Sequence, residues 1–262
     1  MLWVPLLMAA VSIAGLSAPG LYRDNLLVAS GWRGNDLITL VLAVPVLGAS
    51  TVMARHGRAR AELIRLGALL YVVYNFAFYL FGAAFNELFL AYVALVVFGA
   101  AGLIVGLGRL DSTRVGLPGP ATRRGVALYL ALIGLVLGGV HVSFAVSFIA
   151  SGELPAIVVA TGHPTHVVGA LDLSLVVVPS FVSAVWLWQG RAWGFVIAVL
   201  VNVKGAMYMA ALTAATIAAH RAGALEDVTQ AYLWTGIGVG CLVAATALLR
   251  ATMAPAGVAV DW

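Results

Sequence analysis

The sequence predicts an all-α polytopic transmembrane helix bundle of about eight helices with both termini cytoplasmic. Three observations carry that expectation. First, 63% of the 262 residues are hydrophobic and 9% are charged, whereas soluble domains carry about 25% charged residues. Second, the apolar residues fall in runs close to the ~20 residues that a helix needs to cross a bilayer. Third, the arginines cluster in the short segments between runs, with a one-sided bias.

In chain order the runs are 2–18, 37–54, 61–81, 88–108, 125–150, 167–188, 192–218 and 231–249. The first is short, but it has no Lys or Arg ahead of it, so a retained helix is preferred to a secretory leader. Gly31 through Asp36 reads as a loop before the second run, with Leu26 to Ala29 at the membrane surface. Arg55 to Arg60 reads as a basic loop, Gly82 to Glu87 as a tight turn, and Arg109 to Arg124 as the longest polar linker. The loop from Ser151 to Thr165 places the apolar Ile157 to Ala160 at the interface. No internal repeat and no soluble domain stand out, so residues 1–262 read as a single integral membrane domain.

With the N-terminus inside, ten arginines (55, 58, 60, 65, 109, 114, 123, 124, 191, 250) fall on the cytoplasmic side and three (23, 33, 221) on the other. The net charge of +4 thus reflects helix orientation and not a nucleic-acid partner. Trp32, Trp186, Trp188, Trp193 and Trp234 fit interfacial belts. The one cysteine, Cys241, excludes both an intramolecular disulfide and a cysteine-based metal site. The partner these features imply is the lipid bilayer, with a small molecule or lipid headgroup as the ligand of any site within it.

Candidate site residues are those that cost most where they stand. An ionisable group near the middle of a span costs roughly 2.5–3.5 kcal/mol on insertion scales, so it is normally paired, cavity-facing or functional. Asp172 and Lys204, the only lysine, lie on adjacent runs at similar depth and are expected to form an intramembrane ion pair. His141 and Asn75 fall in the same outer half, as does Asn202. Tyr71, Asn75 and Tyr79 repeat at i, i+4, i+8 as a polar stripe that plain helix packing explains equally well. Together these residues predict an outward-facing cavity lined by Asp172, Lys204 and Asn75, with His141 close by. His163 and His166 flank its mouth; with His141 they are weak metal candidates, because the spacing lacks the glutamate of a metalloprotease motif. Pro179, seven residues after Asp172, predicts a kink beside it.

The phrases YNFAFYLFGAAFN (Tyr74 to Asn86), HVVGALDLSLVVVP (His166 to Pro179) and VNVKG (Val201 to Gly205) resemble recurring motifs of an uncharacterised bacterial multi-pass membrane protein family. The resemblance covers about half of the chain. It implies residence in the bacterial cytoplasmic (inner) membrane and brings no activity with it. A late-helix lysine is also found in microbial rhodopsins, but their acidic third-helix pattern and retinal pocket are absent. The histidine order does not match the intramembrane zinc site of ceramidases and adiponectin receptors.

The leading functional expectation is an outward-facing polar site that binds or modifies a small molecule or lipid headgroup, with Asp172, Lys204, His141, Asn75, Asn202, Tyr71 and Tyr79 lining it. The alternatives are a small-solute or ion-coupled transporter that uses the Asp172/Lys204 pair, and a non-catalytic scaffold subunit. The residues assign neither an enzyme class nor a cofactor.

Overall fold

A computed structural model describes residues 2–111 and 116–251. Arg114 and the residues after 251 lie outside the described ones. The helices are α1 (Trp3–Ser17), α2 (Leu26–Arg55), α3 (Ala59–Gly82), α4 (Phe89–Arg109), α5 (Pro120–Ser151), the short α6 (Ala156–Thr161), α7 (Val167–Trp188), α8 (Ala192–Arg221) and α9 (Thr229–Ala251). Seven of them are long and apolar enough to cross a membrane. The protein is an all-α polytopic bundle. The first expected span differs: α1 has 15 residues, roughly 22 Å at 1.5 Å per residue, which is short for a hydrocarbon core of about 30 Å.

Two ends can be told apart. At one, the polar end, Arg23 pairs with Glu87, Asn25 donates to the carbonyls of Ala160 and Thr161 at 2.9 and 3.1 Å, and Asp24 accepts from the Ala84 amide. At the other, Arg60 donates to the Arg250 carbonyl and the Arg124 guanidinium lies over Trp188. This is the arginine end.

Burial follows chain position. α3 and α8 form the centre, each with 67% of its most apolar window buried, whereas α4, α5 and α9 show 28%, 17% and 22%. The outer helices present Leu90, Ile104, Leu135 and Ile149 outward. A belt of that kind suits lipid, where backbone polar groups must be satisfied within each helix. Close approach at the centre depends on small residues: Gly34 of α2 lies against the backbone of Ala214 and Ala215 in α8, where a side chain has no room.

The second span begins eleven residues earlier than the sequence pattern indicates. Asn25 caps α2, its side chain accepting from the Val28 amide at 3.0 Å, and the helix runs unbroken to Arg55. Gly31 to Asp36, the expected loop, is helix. Trp32, expected in an interfacial belt, is 2% exposed and packs on Phe78 and Tyr79.

A repeated arrangement, not apparent in the sequence, also emerges. α2 contains a π-helical turn at Thr39–Ala43 followed by Pro45, and α7 contains one at Leu173–Val177 followed by Pro179. The missing proline N–H favours a locally widened helix, and such turns recur at functional sites. This is the physical form of the irregularity expected at Pro179. Each helix is followed by Gly-Arg-Ala, at Gly57-Arg58-Ala59 and Gly190-Arg191-Ala192, whose alanine opens the next helix. The glycines have φ of 73° and 72°, a region that favours glycine. The next helix in each case is one of the two most buried. The chain is therefore two successive runs with α3 and α8 as corresponding centres.

Candidate functional site

Asp172 ends the first α-helical stretch of α7, immediately before the π turn. Its carboxylate accepts from the Tyr74 hydroxyl of α3 at 2.6 Å and contacts His141 Nε2 of α5 at 3.0 Å. His141 Nδ1 lies 2.9 Å from His166 Nε2. An ionised carboxylate only accepts, so with Asp172 ionised His141 donates from Nε2, and a neutral His141 then accepts at Nδ1 from His166 Nε2–H. The three side chains form one hydrogen-bonded file from a 7%-exposed carboxylate to a half-buried ring at the polar end. Outside the span, His166 holds its proton less tightly than a free imidazole: burial removes water, and His141 adds repulsion, while Asp172 pulls the other way.

Lys204 does not touch Asp172 within 4 Å, so the expected ion pair is replaced by an indirect arrangement. The Lys204 ammonium lies 3.3 Å from the centre of the Tyr74 ring and 4.4 Å from that of Tyr208. These two rings meet edge to face at 4.5 Å. A cation over aromatic faces is attracted by their quadrupoles, and Tyr74 thus engages the cation with its face and the anion with its hydroxyl.

The remaining candidates belong to a second network. Tyr71, Asn75 and Tyr79 all face α2. Tyr71 shares a hydrogen bond with Thr39 at 2.8 Å, Asn75 accepts from Asn35 at 2.8 Å, and Tyr79 donates to Asp36 at 2.9 Å. Tyr22, from the loop before α2, donates to the same carboxylate. Asp36 is 1% exposed. Gly15 of α1 backs it, leaving no space for a Cβ beside the Asp36 and Tyr22 oxygens. The Asn75 amide nitrogen is buried without a partner. Asn202 joins neither network; it donates to its own helix at Ala198 and its Oδ1 is buried and unpartnered.

The structure thus brings Asp172, His141 and His166 together, places Lys204 beside them through Tyr74, and sets Tyr71, Asn75 and Tyr79 against α2, where Tyr79 meets Asp36, an aspartate that sequence reasoning assigned to a loop. Among the described residues no hydrogen bond joins the two networks. Asp36, Asn35, Tyr22 and Tyr74 were missed. The available signal for Asp36 was the apolar Leu26 to Ala29 run, which with 37–54 makes one long helix.

A cavity of about 190 Å³ opens at the polar end, lined by Tyr79, Asn86, Phe89 and Tyr92 among others. Asp172, Lys204 and Asn75, expected to line an outward cavity, do not line this one; they are 7%, 3% and 0% exposed. Among the described residues no three His, Cys, Asp or Glu side chains are arranged to hold a metal. His163 lies edge-on to Phe78 and near enough to His166 to disfavour its protonation.

What the fold and this site define is a multi-pass membrane protein with buried titratable networks toward one end of its bundle. No family model, curated protein or solved structure matches the chain.

Proposed function

We propose that the protein is a proton-coupled transporter of small solutes in which Asp172 carries the proton. The observation that supports this reading best is the Asp172–His141–His166 file. A proton arriving at His166 Nδ1 releases the one on Nε2 to His141 Nδ1, and the His141 Nε2 proton passes to Asp172. One proton is taken up, and both rings are left in the other tautomer. A neutral Asp172 no longer draws the Tyr74 hydroxyl or the nearby Lys204 charge, and it stands at the π turn of α7, where the helix is least regular. Loss of that charge shifts the balance between two packings of α7.

The arginine end faces the cytoplasm of a bacterial inner membrane in this reading, and the proton enters from the polar end. The inner halves of the helices, where Ser180 and Ser183 are among the few polar side chains, form the closed side. Both termini are cytoplasmic when α1 completes its crossing. A binding site for a small molecule at the polar end is the second reading, supported by the cavity beside Tyr79 and Asn86.

Proteoliposomes loaded with a pH-sensitive dye test the proposal against a panel of small solutes. Solute-driven proton entry that is lost in Asp172→Asn and slowed in His141→Gln is the expected result. Solute uptake that ignores the pH gradient and survives Asp172→Asn refutes it. Ligand-dependent thermal stabilisation without any flux, lost in Asn86→Ala, favours the second reading.

A further inference from the structure

Among the described residues Asp36 is the most enclosed acid, and the Asp172 mechanism does not use it. It stands three residues before the π turn of α2, as Asp172 stands directly before that of α7. The registers differ by two residues, so the carboxylates are not copies of one another. The surroundings nonetheless correspond: each acid precedes a π turn and a proline, and each helix leads through Gly-Arg-Ala into a buried central helix. Twelve residues beyond the first of that helix come Tyr71 in α3 and Lys204 in α8, each followed four residues later by a second polar side chain, Asn75 and Tyr208.

The groups facing Asp36 can be named element by element. Tyr22 comes from the preceding loop, Tyr79 and, further along, Tyr71 from α3, and Tyr92 from α4. α1 presents Gly15, and α8 presents Ala214 and Ala215 to this stretch of α2. Among the described residues no Lys, Arg or His lies within salt-bridge distance of it. A buried carboxylate without a cation is costly, and two phenol donors offset part of that cost.

Protonation needs an acceptor for the new O–H, and one is in place. The Tyr79 hydroxyl lies 2.9 Å from Asp36 Oδ1 and 3.2 Å from the Trp32 carbonyl oxygen. When Asp36 is ionised, Tyr79 donates to it. When Asp36 is protonated, it donates to Tyr79, whose own hydrogen turns to Trp32. Neither state leaves a buried polar group unpaired. Tyr79 also lines the cavity at the polar end, which has room for the water that delivers a proton.

We infer that Asp36 is a second proton-binding site, reached through the Tyr79 cavity, so that the chain takes up two protons, one in each run of helices. The role in transport rests on the proton-coupled reading above; the binding itself does not.

Infrared difference spectra of the purified full chain between about pH 8 and about pH 5, with aspartate isotopically labelled, test it. Two protonated-carboxyl bands are expected, one removed by Asp36→Asn and the other by Asp172→Asn. Tyr79→Phe, which keeps the ring and so guards against a folding failure, should move the first band and leave the second. An Asp172 band alone, unmoved by Tyr79→Phe, overturns the Asp36 site and leaves the transport reading standing. An Asp36 band alone does the reverse, and the absence of both refutes both. A first band that follows sodium concentration instead of pH replaces the proton with a metal cation and also overturns the inference.

Discussion

The Tyr74 hydroxyl donates to Asp172 at 2.6 Å, and the ammonium of Lys204 rests 3.3 Å from the centre of the same ring. One side chain therefore mediates between two opposite charges that do not touch. Exchanging them, Asp172→Lys with Lys204→Asp, is expected not to restore stability. A carboxylate over the ring face meets the negative side of its quadrupole, and an ammonium cannot accept the tyrosine hydrogen. Tyr74→Phe removes only the hydrogen bond and should cost about 1–2 kcal/mol. Tyr74→Leu also forfeits the cation and the Tyr208 ring contact, and should cost about 3 kcal/mol or more. Thermal melting in detergent orders the three variants. A swap that melts with the wild type would mean that the charges pair directly.

Acid should weaken the fold through the loop histidines. His166 and His163 both bind protons less tightly in the folded chain than in the unfolded one, with burial as the largest cause. Above the unfolded value of about 6.5 both states hold neutral rings, and the contribution to stability is complete. As pH falls through that value the unfolded chain gains protons that the folded chain refuses, and the contribution is lost. The rings are only partly buried, so solvent screening keeps the effect to roughly a degree or two in Tm. The double variant His163→Gln, His166→Gln should melt with a flatter pH dependence below about pH 6.5, and an equally steep one would remove the histidines as the cause.

Much of this architecture could be read from the chain because a bilayer leaves few alternatives: backbone buried in lipid must be helical, and about twenty apolar residues are needed for each crossing. Asp172, His141 and Lys204 stood out for the same reason, and in the bundle Asp172 meets His141 directly and Lys204 through Tyr74. Helix rotation was not readable. The stripe of Tyr71, Asn75 and Tyr79 and the single Tyr74 lie on different faces of α3, and only the positions of α2, α7 and α8 decide which partner each face meets. Asp36 escaped because Gly31, Arg33, Gly34, Asn35 and Asp36 together carry every local sign of a loop. In the bundle, protein satisfies three of them: Gly34 admits α8, Asn35 meets Asn75, and Asp36 meets two tyrosines. The π turns leave no signature beyond a proline.

Orientation is open to direct measurement. Reporter fusions within 55–60 and after Arg250 are expected to read cytoplasmic, as is one in the 112–120 linker. Fusions near Gly152 and Gly223 should read external. The N-terminus separates the two topologies of α1. Gly15 lies level with Asp36, and Trp3 packs against Phe98 near the middle of α4, so the helix starts well within the bundle and rises toward the polar end. A cytoplasmic N-terminal tag is expected, reached by local thinning of the bilayer over a short helix. An external tag would leave seven crossings and termini on opposite sides.

The closeness of α2 and α8 underlies the Asp36 network, because it fixes the rotation of the helix that carries Asn35 and Asp36. A Cβ built on Gly34 would stand 2.5 Å from the carbonyl oxygen of Ala214, a backbone atom that cannot swing aside. Gly34→Ala must therefore push two helices apart, and an overpacking cost of about 1–3 kcal/mol is expected. Gly48 and Gly236 lie in α2 and α9 with nothing within 4 Å of the same added carbon. Alanine there gains helix propensity and meets no neighbour, so a change between zero and about 1 kcal/mol of stabilisation is expected. The contrast separates packing from propensity, since all three replacements are chemically identical. If Gly34→Ala melts like Gly48→Ala, the two helices are not held at the distance that lets Tyr79 reach Asp36. Infrared bands from the Gly34→Ala protein carry the argument one step further: a displaced α2 should disturb the Asp36 carboxyl band and spare that of Asp172, which hangs on α5 and α3.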